Sequence, residues 1–287
     1  MVPGDGPRRD VRTIRFAGAQ RAVKKIRAMK SRTFTALWGI FASPFFALLP
    51  SHALAGGIAI VPAGASAPAV PVYVARPAGP GPFPAVLLLH GCEGLLGFEA
   101  VAADRLAARG YVGVALDSLG VRAPLEACGE RKREGEEAAD ARAVLSWLRT
   151  QPYVEADRLG AIGYSMGGNA VLDLIDPKSP APPPPGLHAA VAFYPFCEGR
   201  DGIVTVPLQI FAGDADTIAP AATCSAMALA GKAAGRQIDV TVFPGATHGF
   251  VFPGPERKVF GQRVRYDPDA TTESAEKIDA FLETFLK

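Results

Sequence analysis

Short apolar runs alternate with longer stretches of helical periodicity along the chain from residue 56 onward. Several of the runs lack polar positions, as strands buried on both faces of a sheet do. We therefore predict strands at 57–63, 70–77, 84–90, 110–116, 158–163, 188–194, 206–213 and 237–243. Helices are predicted near 98–109, 133–150, 166–175, 219–234 and 271–286. This order favours an α/β fold with a mostly parallel central sheet and helices on both faces.

Two connections interrupt this alternation. Residues 176–186 form a proline-rich stretch, which is typical of a semi-rigid surface connection. Residues 117–132 follow a buried strand and therefore emerge at the carboxyl edge of the sheet, where open α/β folds bind their ligands. We expect this second loop to form a wall of the substrate site.

The N-terminal region has a different pattern from the rest of the chain. Residues 29–55 begin with Met29, carry Lys30 and Arg32 ahead of a charge-free apolar run, and end in Ala53-Leu54-Ala55. This layout is typical of a secretory signal peptide with cleavage after Ala55, although the run is long enough for a transmembrane anchor. An over-extended gene start would explain residues 1–28, and the mature domain is then 56–287.

The charge of the predicted mature domain argues against one class of partner. The whole chain has a formal net charge of +2, but residues 56–287 carry 20 Lys and Arg against 26 Asp and Glu. The mature net charge is therefore −6, which offers no basic surface for a phosphate backbone. We expect no nucleic-acid partner and no stable membrane span after signal cleavage; the oligomeric state stays open between monomer and homodimer.

Four cysteines lie in the predicted mature domain, an even number in a chain with a predicted export signal. Two disulfides are possible, in any of three pairings, and buried free thiols are the alternative. The spacing contains no Cys-x-x-Cys and no histidine cluster, so we predict no metal site. The four residues are Cys92, Cys128, Cys197 and Cys224.

One motif indicates nucleophilic catalysis. Residues 163–167 read Gly-Tyr-Ser-Met-Gly between a predicted strand and a predicted helix, which is the context of the G-x-S-x-G nucleophile elbow. The strained turn brings strand and helix together, so Gly163 and Gly167 remove side chains that would collide. The free amides at the start of the helix would stabilise an oxyanion, and Met166 would supply one of them.

A serine nucleophile needs a base and an acid that orients the base. Of the four histidines, His52 lies in the signal, and His90 and His188 flank strands. His248 follows the last predicted strand on a glycine-rich loop. The carboxylate comes from Asp214 or Asp216, just past the strand at 206–213, which gives the chain order serine, aspartate, histidine.

The sequence resembles the dienelactone hydrolase family of α/β-hydrolases. The resemblance rests on LLLHGCEGL, GYSMGG, GDADTIAP, ATHGF and the final IDAFLETFL, and it spans nearly the whole mature chain as a single domain. It implies that Asp216, in the family's G-x-x-D pattern, is the triad acid. It also implies that the backbone N–H of Cys92 is the second oxyanion donor, while His90 and Gly91 shape the turn.

The chain departs from founding members of that family at three positions. Those members carry a cysteine nucleophile and a glutamate in the oxyanion loop, where Ser165 and Gly91 stand here. They also hold a substrate carboxylate with an arginine four residues past the histidine, a position occupied here by Phe252. Arg122 is our candidate for that role, and Tyr164, beside the serine, is a second candidate for substrate contact.

Resemblance to secreted relatives implies that Cys92 pairs with Cys128 and that Cys197 pairs with Cys224. Together these features predict an exported, periplasmic or secreted serine hydrolase that cleaves a small carboxylic ester or lactone through an acyl-enzyme intermediate. The chemistry requires no metal or organic cofactor. An acyltransferase using the same triad and a non-catalytic binding protein of the same fold are the alternatives.

Overall fold

The computed structural model describes residues 56–64, 67–122, 127–128 and 131–287, with only the backbone of residues 131–134. The predicted signal peptide and residues 1–28 lie outside the described residues, as does part of the loop 117–132. The strands of the sheet are β1 Gly57–Val61, β2 Val70–Ala75, β3 Phe83–Leu89, β4 Val112–Leu116, β5 Val154–Tyr164, β6 Leu187–Phe193, β7 Leu208–Gly213 and β8 Ile238–Phe243. The helices are α1 Gly97–Ala108, α2 Arg131–Leu148, α3 Met166–Ile175, α4 Ala221–Ala233 and α5 Pro268–Leu286.

The strands form one eight-stranded sheet in the order β1-β2-β4-β3-β5-β6-β7-β8. β2 runs antiparallel to both of its neighbours, β1 and β4. The six strands from β3 to β8 are all parallel to one another. This topology confirms the predicted α/β-hydrolase fold. Because six strands are parallel, the loops that follow them meet at one carboxyl edge of the sheet.

The core lies in two layers, one on each face of the sheet. In β3, Ala85, Leu87 and Leu89 pack on the face covered by α2, α3 and α4. Val86 and Leu88, which alternate with them, pack on the face covered by α1 and α5. Burial on both faces explains why the central strands read as continuous apolar runs.

The structure adds one element that the sequence pattern did not predict. A small antiparallel hairpin, β9 Arg257–Val259 and β10 Gln262–Val264, lies between the strand predicted at 237–243 and the helix predicted at 271–286. Its strands are only three residues long and carry mostly polar side chains, so they lack the periodicity that marks a strand. β5 also begins earlier than predicted, because Val154 pairs with Phe83 ahead of the apolar run.

Both disulfides are present among the described residues. Cys92 is bonded to Cys128, and Cys197 to Cys224, which are the pairs implied by the family resemblance. The first bond joins the loop after β3 to the segment before α2, and the second joins the loop after β6 to α4. Among the described residues, no helix combines the length and the apolar composition needed to cross a bilayer.

Candidate active site

Ser165 occupies a sharp turn between β5 and α3. Its backbone adopts φ +54° and ψ −109°, a region that side-chain-bearing residues rarely occupy. A Cβ atom on Gly163 would lie 2.0 Å from the carbonyl oxygen of Gly167, and one on Gly167 would lie 2.5 Å from that of Leu89. Both glycines are therefore required for the strand and helix to approach this closely.

The structure brings together the serine, histidine and aspartate selected from the sequence. The Oγ atom of Ser165 lies 2.8 Å from Nε2 of His248, and Nδ1 of His248 lies 2.8 Å from Oδ2 of Asp216. Both His248 and Asp216 are buried. Ser165 follows β5, His248 follows β8 and Asp216 follows β7. Because these strands are parallel, their carboxyl ends bring the three side chains together at one edge of the sheet.

The two aspartates of the loop after β7 have different partners. Oδ1 of Asp216 accepts hydrogen bonds from the backbone N–H groups of Ile218 and Ala219, both at 2.8 Å, which leaves Oδ2 facing the imidazole. Asp214 instead accepts from the backbone N–H of Gly245. Asp214 therefore links its own loop to the loop that leads to His248.

Tyr194, which no sequence pattern singled out, contacts the imidazole directly. Its ring centroid lies 4.7 Å from that of His248, and its side chain is completely buried. The backbone of Tyr194 has φ +40° and its N–H donates to the carbonyl of Phe211 at 2.7 Å. Burial raises the pKa of the Tyr194 hydroxyl well above its usual range, so the side chain stays uncharged where it packs against the histidine.

The loop between β3 and α1 lies beside the serine. The backbone N–H of Gly167 donates to the carbonyl of His90 at 3.0 Å, and the carbonyl of Cys92 accepts from the N–H of Ala127 at 2.8 Å. Nδ1 of His90 donates to the carbonyl of Gly91 at 2.7 Å, while Nε2 accepts from the N–H of Ser118. Burial lowers the pKa of His90, so the imidazole is neutral and holds the turn.

Tyr164 lines a cavity of about 850 Å³ between α1 and α5. Its ring stacks on that of Phe193 and contacts Phe98 and Phe252, all of which line the same cavity. Burial raises the pKa of the Tyr164 hydroxyl above its usual range. The lining is mostly apolar, and neither Ser165 nor His248 belongs to it.

Glu99 is a buried carboxyl in the first turn of α1. Its Oε2 accepts from the backbone N–H of Leu96 at 2.9 Å, while Oε1 has no hydrogen-bond partner among the described residues. Burial, with smaller contributions from Glu93 and Asp117, raises its pKa from 4.5 to about 7. The folded protein therefore favours the protonated form of this side chain.

We expect Glu99→Gln to stabilise the protein at alkaline pH. The folded state raises the pKa of Glu99. The stability that its protonated carboxyl contributes to the wild type is therefore fully present below pH 4.5 and is lost as the pH rises through 7. The variant should match the wild type near pH 4.5 and exceed it by about 3 kcal/mol at pH 8, since each pKa unit corresponds to ~1.4 kcal/mol.

Urea unfolding at pH 5 and pH 8 measures this difference. Glu276→Gln, an exposed position on α5, is the matched control and should show no such pH trend. A stability difference between Glu99→Gln and the wild type that stayed constant over this pH range would contradict a raised pKa at Glu99.

A model of the dienelactone hydrolase family matches residues 70–286, which include every strand of the sheet except β1 and all five helices. The chain belongs to the dienelactone hydrolase family. The loops at the carboxyl edge of the sheet, from the turn after β3 to the loop after β8 that carries His248, all fall within the matched region.

Curated relatives of this dienelactone hydrolase family member match over part of its length. It is 30% identical to the cutinase Est1 of Thermobifida alba over 144 residues, which cover 49% of this chain and 45% of the relative. It is 28% identical to a bis(hydroxyethyl) terephthalate hydrolase of Streptomyces coelicolor over 153 residues, 53% of this chain and 46% of the relative. The matched region is thus about half the length of these relatives.

A solved structure shares the fold. Esterase 2 of Thermogutta terrifontis, in a form phosphoramylated by tabun, superposes with a TM-score of 0.63 at 23% sequence identity. The superposition covers 80% of this chain and 94% of the esterase. At this level of identity the likeness concerns the α/β-hydrolase fold.

The structure gives Arg122 a different environment from the one we expected. Its guanidinium donates to both carboxylate oxygens of Asp140, at 2.7 and 2.9 Å, and lies 3.3 Å from Glu136. The Asp140 carboxylate also accepts from the hydroxyl of Ser118. Arg122 is thus held by carboxylates beneath the loop after β4. Phe252, at the position where founding members of the family carry an arginine, lies in the aromatic cluster around Tyr164.

Proposed function

We propose that this dienelactone hydrolase family member hydrolyses carboxylic esters or lactones with Ser165 as nucleophile, His248 as general base and Asp216 as the orienting acid. The observation that carries the proposal is the continuous pair of 2.8 Å hydrogen bonds from Ser165 through His248 to Asp216. A serine hydroxyl is a weak nucleophile at neutral pH, and an adjacent oriented imidazole is the usual means of activating it.

In the first half of the reaction, His248 removes the proton of the Ser165 hydroxyl as Oγ attacks the carbonyl carbon. The carbonyl oxygen becomes negative in the tetrahedral intermediate. His248 then returns its proton to the departing alcohol, and an ester forms between Ser165 and the acyl group. Asp216 stabilises the imidazolium that exists between these proton transfers.

In the second half, His248 removes a proton from water, and the resulting hydroxide attacks the acyl carbon. The bond to Ser165 breaks, its oxygen takes the proton from His248, and the carboxylic acid leaves. Tyr194 packs against the imidazole and restricts its ring during both halves.

The backbone N–H groups of Met166 and Cys92 are the proposed donors to the developing oxyanion. Met166 begins α3, where unpaired amides and the helix dipole favour negative charge. Cys92 lies in the neighbouring loop and is held by its disulfide to Cys128 and by the bond from Ala127. Since the disulfide occupies its sulfur, Cys92 does not compete with Ser165 as nucleophile.

Two kinds of observation support esters as the substrate class and export as the destination. The relatives named as a cutinase, a terephthalate-ester hydrolase and an esterase all carry names of ester hydrolases. The two disulfides favour an oxidising compartment, the periplasm or the exterior. The predicted signal peptide at 29–55 is consistent with this destination.

Covalent labelling tests the proposal directly. A fluorophosphonate probe should add one group per chain, and peptide mapping should locate it on Ser165, with loss of p-nitrophenyl acetate hydrolysis in proportion to labelling. A folded protein that neither reacts with the probe nor hydrolyses esters would favour a binding protein instead. Product analysis with added 1-butanol separates hydrolysis from acyl transfer.

A further inference from the structure

The β9–β10 hairpin bridges two loops of the candidate active site. At one end the hydroxyl of Thr217, which follows Asp216, donates to the side-chain oxygen of Gln262 at 2.8 Å. At the other end Nη2 of Arg257 donates to Oε2 of Glu93 at 2.9 Å, next to Cys92. The hairpin therefore extends, at the carboxyl edge of the sheet, from the loop that carries Asp216 to the loop that carries Cys92.

The tip of this hairpin carries an unusual residue. Val259 pairs with Gln262, so Phe260 and Gly261 form a two-residue turn, with φ +50° and +75°. Such turns favour asparagine, aspartate or glycine, because side chains with a bulky Cβ substituent are strained at positive φ. Phe260 is nevertheless there, is 56% exposed, and makes no ring contact with any described aromatic side chain.

Neither the turn nor the core explains a phenylalanine at this position. Its backbone conformation disfavours it, and more than half of its surface stays exposed in the folded protein. Strained residues near active sites commonly persist because their side chain has a function there. An exposed aromatic ring can contribute favourable free energy when another apolar surface covers it.

Phe260 belongs to a group of exposed apolar side chains at the same edge. Nine large apolar side chains of the described residues are exposed, and four of them lie on loops that follow β3, β4, β6 and β8. We call these four the apolar rim: Leu96, Val121, Phe196 and Phe260. The rim thus shares the carboxyl edge with Ser165.

We propose that the apolar rim, led by Phe260, adsorbs the protein to the surface of a water-insoluble ester. This inference rests on the proposed ester hydrolysis. A protein partner bound over the same edge would cover Ser165, whereas an insoluble ester that covers the rim also presents its carbonyl groups to the serine. The occupant that both buries the rim and allows turnover is therefore the substrate phase itself.

Adsorption to tributyrin droplets tests the proposal without catalysis. The Ser165→Ala protein is mixed with emulsified tributyrin, and the bound fraction is measured after flotation, with and without Phe260→Asn. Asparagine suits the positive φ of this turn, so the variant should unfold at the same or a higher temperature. We expect the partition coefficient to fall roughly tenfold, the factor that ~1.4 kcal/mol of lost apolar burial produces.

Leu229→Gln is the matched control. Leu229 is 72% exposed on α4, outside the loops of the carboxyl edge, and its replacement should leave adsorption unchanged. With Ser165 intact, Phe260→Asn should lower the rate on tributyrin emulsion about tenfold more than the rate on dissolved p-nitrophenyl acetate.

Three results would overturn the proposal. They are equal adsorption of the Phe260→Asn and Leu229→Gln proteins, equal loss on the emulsion and the dissolved ester, and a dimer that Phe260→Asn dissociates. If the wild type hydrolyses neither ester, the proposed function fails, while the adsorption measurement still decides the role of the rim.

Discussion

Replacement of Ser165 by alanine is expected to lower kcat/KM for p-nitrophenyl acetate by about 10⁴- to 10⁶-fold. The variant lacks the oxygen that His248 activates, so only binding and oxyanion stabilisation remain to accelerate the attack of water. Steady-state kinetics on purified protein measures the loss, and the unfolding temperature shows whether the turn at φ +54° is kept.

Ser225→Ala is the corresponding control, because Ser225 is an exposed serine on α4 whose hydroxyl donates to the backbone carbonyl of Ala221 in the same helix. Its activity should equal that of the wild type. Hydrolysis by Ser165→Ala at more than a tenth of the wild-type rate would rule out Ser165 as the nucleophile.

The second large effect concerns the choice between two neighbouring carboxylates. Asp216→Asn should lower kcat by about 10³- to 10⁴-fold, because an amide facing Nδ1 neither stabilises the imidazolium nor selects the correct tautomer. Asp214→Asn should lower kcat less than about tenfold, since this side chain binds the Gly245 amide rather than the histidine. Both variants make the same chemical change, carboxylate to amide, at positions two residues apart.

Measurement of kcat and of thermal unfolding for both variants separates chemistry from folding. If Asp214→Asn causes the larger loss of kcat with an unchanged unfolding temperature, the assignment of the acid is reversed. Equal losses with equally lowered unfolding temperatures would indicate that both residues act through the loop alone.

Much of the fold was predictable because its central strands are buried on both faces. The apolar run at 84–90 corresponds to β3, and the run at 158–163 corresponds to the C-terminal half of β5. The serine turn was predictable for a steric reason, since the flanking glycines are needed wherever a strand and a helix meet this closely. The distinction between Asp214 and Asp216 required the family pattern, because both carboxylates follow the same strand.

Other features depend on contacts that leave no local pattern. Tyr194 reads as the end of a buried strand, and only the packing of the loop after β8 brings His248 against its ring. The β9–β10 hairpin has short polar strands and is held by Thr217 and Glu93, which are distant in sequence. Arg122 follows a strand at the expected edge, but Asp140 of α2 binds its guanidinium.

The Cys92–Cys128 bond gives the chain a covalent property beyond its effect on the oxyanion loop. It closes a ring between residues 36 positions apart, and the ring contains all of α1 and β4. A protease that cut one peptide bond inside the ring would leave both products joined through sulfur. The nicked molecule would keep Ser165, Asp216 and His248 on one fragment, with the oxyanion loop still attached to it.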